Sequence, residues 1–149
     1  MTKPLLVHGT AIAIEGHAAL LRGPPGAGKS DLALRLIDRG AQLVADDQAE
    51  LRRNGQHVFV RAPASIAALL EVRGIGIVRV EALDEAPLAL LVDLVPPRGV
   101  DRLPDKCSEK VLGLAIPRIV LAPFEASAAA KIRLAVREFR VSPPATMIG

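Results

Sequence analysis

The stretch Gly23-Pro24-Pro25-Gly26-Ala27-Gly28-Lys29-Ser30 satisfies G-x-x-x-x-G-K-[ST] at every fixed position. Set between an apolar run and an amphipathic run, it commits this part of the chain to a strand–loop–helix unit. Glycines let backbone N–H groups turn inward around a phosphate without Cβ clashes. The following helix aims its positive end at the anion. Lys29 is expected to reach the β- and γ-phosphates and Ser30 to place its hydroxyl on Mg²⁺. Gly23, Pro24, Pro25, Gly26, Ala27, Gly28, Lys29 and Ser30 therefore form the expected ATP cradle. A purely structural glycine turn is the alternative, and the flanking strand and helix weigh against it.

Upstream, Leu5 to Ile14 and His17 to Arg22 read as two strands joined at Glu15-Gly16. Downstream, Leu32, Ala33, Leu36 and Ile37 share one helical face, which predicts a helix from Ser30 to Arg39 closed by Gly40. Leu43 to Ala45 reads as a short buried strand. Asn54-Gly55 marks a hairpin between Glu50–Arg53 and Gln56–Arg61. One or two helical turns are expected in 63–70, and strands in 74–80 and 88–95. The polar segment 96–110 reads as a loop. Residues 111–122 read as extended, with Pro117 at an edge or bulge. A long helix is expected over 124–140 and a loose tail over 142–149. No repeat or linker is evident, so 1–149 reads as one mixed α/β P-loop domain with a P-loop helix and a C-terminal helix.

Asp46-Asp47 ends the Leu43–Ala45 strand, as the acid of a nucleotide site would. One helix and one strand return these acids to the loop, a shorter path than most P-loop enzymes use. One acid can hold Mg²⁺ and the other can accept the proton of an attacking hydroxyl. In Glu71-Val72-Arg73-Gly74-Ile75-Gly76, Glu71 is a candidate metal ligand. Arg73 is a candidate for stabilising charge on the transferred phosphoryl group. On spacing alone, a surface ion pair describes this acid and base equally well.

Composition removes several other classes. Half of the 149 residues are apolar, enough for one aliphatic core. Trp and Tyr are absent and only Phe59, Phe124 and Phe139 are aromatic, which argues against a base-stacking platform for nucleic acid. The +3 charge is carried by scattered arginines rather than a basic run. Cys107 is the single cysteine, so no internal disulfide can form, in keeping with a reducing compartment. It reads as a bystander. The first residues lack a signal-peptide core, and no run has the length of a membrane helix. The expectation is a cytoplasmic protein with neither membrane nor nucleic-acid partner.

Together these segments resemble the catalytic domain of HPr kinase/phosphorylase. Five motifs of that family occur here in order: His8-Gly9, the loop ending Gly28-Lys29-Ser30, Arg39-Gly40, Leu43 to Asp47, and Glu71 to Ile77. They lie in roughly the first half of the chain, and the second half matches loosely. The resemblance implies a phosphoenolpyruvate-carboxykinase-like P-loop fold. It also implies transfer of the γ-phosphoryl of ATP to a serine of an HPr-like phosphocarrier of the phosphotransferase system. Carried over by motif, Lys29 and Ser30 bind phosphate and Mg²⁺, Asp47 accepts the proton with Asp46 in support, Glu71 binds the metal and His8 completes the site. His17 and His57 stay structural. The family forms rings of subunits, which implies a homo-oligomer.

Two departures stand out. The family's usual N-terminal domain has no counterpart here, so the resemblance is to short forms such as those of some proteobacteria. The late motif P-V-R-P-G-R-N corresponds to Leu121-Ala122-Pro123-Phe124-Glu125-Ala126-Ser127, a segment centred on Phe124 with no arginine to assist transfer. That counts against the reverse phosphorolysis, unless another arginine, such as Arg102, substitutes. Beside the protein-serine kinase stand two alternatives: a small-molecule kinase, and an ATP-binding regulatory sensor without catalysis.

Overall fold

The structure, a computed structural model, describes residues 3–139; the expected tail at 142–149 lies outside them. The chain runs β1 (Leu5–His8), β2 (Thr10–Ile14), β3 (His17–Arg22), α1 (Lys29–Asp38), β4 (Gln42–Ala45), β5 (Gln48–Asn54) and β6 (His57–Arg61). It continues through β7 (Leu69–Val72), β8 (Gly76–Arg79), β9 (Glu85–Leu94), β10 (Cys107–Val111), β11 (Leu114–Leu121) and α2 (Ala128–Phe139).

The main sheet has the order β1-β5-β6-β9-β3-β2-β4, with β11 also pairing β9 and β10 pairing β11. It is mixed: β3 runs parallel to β9 and antiparallel to β2. The long strand β9 divides one edge, pairing β6 through Glu85–Pro87 and β11 through Leu91–Leu94. Its Leu90, Leu91 and Val92 are fully buried. Because successive side chains face opposite ways, Leu90 and Val92 join Leu21, Leu32, Leu36 and Ile132 on the helical face. Leu91 and Leu20 instead join Leu51, Val58 and Val60 on the other. Both faces are covered, which accounts for the unbroken apolar runs. Ala128, Ala129, Ile132 and Val136 of α2 are buried in the helical-face cluster, so the alanine-rich stripe covers the sheet.

Several expected boundaries move. Leu5 to Ile14 is two strands, because β1 pairs β5 whereas β2 pairs β3 and β4. Gly9 permits the break: a Cβ there would stand 2.8 Å from Leu20 Cδ1 and 3.0 Å from the Leu21 carbonyl oxygen. Within 63–70 only Ala64–Ile66 turns helically, and Leu69–Val72 is strand. The 96–110 loop ends early, since Cys107 to Lys110 belong to β10. Leu112 and Gly113, with φ of 51° and 86°, turn 111–122 into the second half of a hairpin. Pro117 lies just ahead of the Arg118–Leu121 segment that pairs with β9. The last helix begins at Ala128, not 124.

One charge network ties the second half of the sheet to the strand that enters the glycine loop. Arg22 donates from Nε to Asp93 Oδ1 at 2.7 Å and from Nη1 to Glu109 Oε2 at 2.8 Å. Arg118 Nε donates to Asp93 Oδ2 at 2.6 Å. Burial works against the Asp93 carboxylate, but the hydrogen bonds from Arg22 and Arg118 outweigh it and hold its carboxyl below the usual range. A carboxyl depressed in the folded state stabilises fully above its unfolded value of about 4 and loses that contribution as pH falls through the folded value. Asp93→Asn should therefore cost about 1–2 kcal/mol at neutral pH. Urea titrations should show the gap to the parent narrowing below about pH 4; a gap constant with pH would contradict this.

Candidate active site

The loop begins where β3 ends at Arg22 and closes where α1 starts at Lys29. Its turn is made by Ala27, whose N–H donates to the Pro24 carbonyl at 3.0 Å. Gly28 takes the left-handed φ of 99°, and a Cβ there would stand 2.9 Å from Phe124 Cζ. The position thus demands glycine on both conformational and steric grounds. Lys29 Nζ donates to the carbonyls of Gly23 at 2.6 Å and Pro24 at 3.2 Å, which holds the ammonium against the loop.

Strand β2 lies between β3 and β4 and runs opposite to both, so its first residue, Thr10, falls at the loop end of the sheet. Thr10 is fully buried and Asp46 nearly so, at 8% exposure. Asp46 Oδ1 accepts from the Ser30 hydroxyl at 2.9 Å and the Thr10 hydroxyl at 3.0 Å. Asp46 Oδ2 accepts from the Glu71 backbone N–H at 3.1 Å. One carboxylate therefore joins the head of α1, the start of β2 and the β7–β8 hairpin. Asp47, in contrast, is exposed and adopts φ 66°, a left-handed conformation that aspartate tolerates better than most residues. Its N–H donates to Thr10 Oγ1 at 3.3 Å, and its carbonyl accepts from Gly9 N–H at 3.0 Å. The adjacent acids therefore have different environments, one buried and bonded, one open.

These groups line a cavity of about 460 Å³ whose wall includes Lys29, Ser30, Asp46, Asp47, Glu71 and Arg73. Of the residues expected in the site, His8 is not in that wall; it is exposed at the end of β1, opposite Gln48. Arg102 lines neither this cavity nor the neighbouring apolar one. Thr10 is the residue that sequence reasoning passed over. Its signal was a hydroxyl heading the otherwise apolar strand Thr10–Ile14. The His-Gly pair reaches the site through Gly9 N–H and the Thr10 that follows it.

Among the described residues, no three His, Cys, Asp or Glu gather closely enough to chelate a metal unaided. The Asp46 carboxylate and Ser30 hydroxyl are hard oxygen donors, which suit Mg²⁺, an ion usually held by one or two carboxylates together with substrate phosphates. The donor set therefore fits that ion and not a thiolate- or imidazole-seeking one.

The mixed sheet, with its loop-borne helix α1 and terminal helix α2 on one face, defines an α/β domain unlike an all-parallel nucleotide fold. The chain belongs to the HPr serine kinase C-terminal domain family, whose sequence profile matches residues 1–142. It is 35% identical over 127 aligned residues to an HPr kinase/phosphorylase of Geobacillus thermodenitrificans, covering 77% of this chain and 41% of that protein. It is 47% identical over 78 residues to one from Exiguobacterium sp., covering 52% and 25%. The solved Hpr(Ser) kinase/phosphatase of Coxiella burnetii superposes with a TM-score of 0.80 at 28% identity, covering 93% of this chain and 92% of that one. The chain thus spans well under half the length of these two curated relatives. No helix among the described residues is long and apolar enough to cross a membrane.

Proposed function

We propose that this chain is an ATP-dependent protein-serine kinase acting on an HPr-like phosphocarrier in the cytoplasm. The observation that carries the reading is the Ser30 hydroxyl bonded to buried Asp46, beside the open carboxylate of Asp47, in a cavity that starts at the glycine loop. Mg-ATP would supply the γ-phosphoryl group and the divalent charge that offsets its oxygens. Gly23 to Ser30 would cradle the phosphates, with the Lys29 ammonium swinging from the loop carbonyls to phosphate oxygens. Ser30 and Asp46 would hold Mg²⁺, with the Glu71 carboxylate at the cavity wall as a further oxygen donor.

Asp47 would take the proton of the serine hydroxyl, being the exposed carboxylate of the pair. Arg73, in the turn after β7, would face the charge that builds on the moving group. Most of the rate enhancement would come from positioning and charge neutralisation. The reading covers the forward direction, since the Leu121–Ser127 segment around Phe124 carries none of the arginines that the family's late motif would bring to the reverse one.

The deciding experiment incubates the protein with radiolabelled ATP, Mg²⁺ and a small HPr-like phosphocarrier. Label should appear on a serine of the phosphocarrier, and Lys29→Ala should remove it. ADP released with no labelled protein, or label passed to a small metabolite, would sink the proposal.

A further inference from the structure

A second cavity, of about 560 Å³, opens on another side of the same glycine loop. Its wall comes from three places: loop residues 24–27, residues 94–97 after β9 and residues 122–125 after β11. The strands β3, β9 and β11 are parallel neighbours, so all three wall segments leave the same, carboxyl-terminal end of the sheet. Ligands in open α/β sheets bind at that end. Every side chain in the wall is apolar except that of Glu125. The two cavities are contiguous: Pro25, Gly26 and Phe124 line both.

Phe124 is the feature that needs explaining. It is one of three aromatic residues in a chain without Trp or Tyr, yet 71% of it is exposed. Its ring edge sits over the Gly28 backbone. The backbone on either side is clamped by Arg35 of α1, which donates to the Pro123 carbonyl and, at 3.2 Å, to the Glu125 carbonyl. An aromatic ring held on a fixed support at the junction of a phosphate cavity and an apolar one is placed as a stacking surface.

We propose that the apolar cavity takes the nucleoside end of the nucleotide, with the purine base lying on the Phe124 ring. This rests on the phosphate-loop reading above. Its volume is within the range of pockets that hold small organic ligands. A wall of hydrocarbon offers dispersion and desolvation but few hydrogen bonds to a base edge. Affinity should therefore depend on having a base and little on which purine it is.

The test compares Mg-ATP, Mg-GTP and inorganic tripolyphosphate by calorimetry on the parent and on Phe124→Ala. The parent should bind both nucleotides with affinities within about threefold of each other, and more tightly than tripolyphosphate. Phe124→Ala should weaken both nucleotides about tenfold or more while leaving tripolyphosphate unchanged. Because the chain has no Trp, Phe124→Trp adds a single indole, whose emission should change with either nucleotide but not with tripolyphosphate. Equal losses for all three ligands, no loss for any, or strong preference for one purine would overturn the base site. Absence of all binding to the parent would overturn the phosphate-loop reading and this inference with it.

Discussion

Replacing Asp47 by Asn should slow phosphoryl transfer by about 10² to 10⁴-fold, the usual worth of a positioned general base. Nucleotide affinity should stay within about a factor of three, because Asp47 is the acid that makes no bond to the Ser30 hydroxyl. The fold should survive as well. The backbone of residue 47 is held by Thr10 Oγ1 and by Gly9 N–H, not by its own carboxylate. Asparagine also accepts the left-handed φ of 66° better than other replacements. Single-turnover transfer to the phosphocarrier gives the rate, calorimetry gives affinity, and an unchanged melting temperature excludes misfolding. A rate equal to the parent's would remove Asp47 from the chemistry.

The neighbouring change should fail differently. Asp46→Asn places an amide where three donors converge: the hydroxyls of Thr10 and Ser30 on one oxygen and the Glu71 N–H on the other. With the amide oxygen toward the Glu71 N–H, the NH₂ donates to the two hydroxyl oxygens and the fully buried Thr10 hydroxyl is left without an acceptor; the opposite turn sets the NH₂ against the Glu71 N–H. At 8% exposure, water cannot readily repair the mismatch. Leaving buried donors unsatisfied costs about 1–3 kcal/mol each where no relaxation occurs. One such loss, about 1–3 kcal/mol, should lower the melting temperature by roughly 3–10 °C. Mg-nucleotide affinity should fall too, since the Ser30 hydroxyl loses its orienting partner. A variant as stable as the parent would show that these hydrogen bonds do not anchor the site.

Much of this site was legible because its parts lie close together along the chain. Gly23 to Ser30, the helical face of Leu32, Ala33 and Leu36, and the Asp46-Asp47 turn each carry their signal locally; the hairpin expected at Asn54-Gly55 forms one residue on, with Asn54 paired to His57 and Gly55-Gln56 as its turn. What stayed hidden depends on partners remote in sequence. Thr10 meets Asp46 only because β2 is inserted between β3 and β4. Arg22 meets Asp93 and Glu109 only because β9 lies beside β3 and the β10–β11 hairpin beside β9. Strand β10 had no pattern to reveal it: Cys107 to Lys110 are all exposed polar-edge positions, ordered by pairing with β11. Helix α2 starts later than its composition suggests because residues 124–127 form a turn in which Arg35 takes the Pro123 and Glu125 carbonyls, a contact no local propensity encodes.

The Arg35 clamp also has a mechanical corollary. It makes the glycine loop, its helix and the Phe124 arm a single fixed jaw. Across the cavity, the β7–β8 hairpin that carries Glu71 and Arg73 pairs as a two-stranded sheet of its own and is seated on the same body through the fully buried Leu70. The Glu71 N–H bond thus makes the placement of Glu71 and Arg73 depend on the same buried carboxylate that orients Ser30.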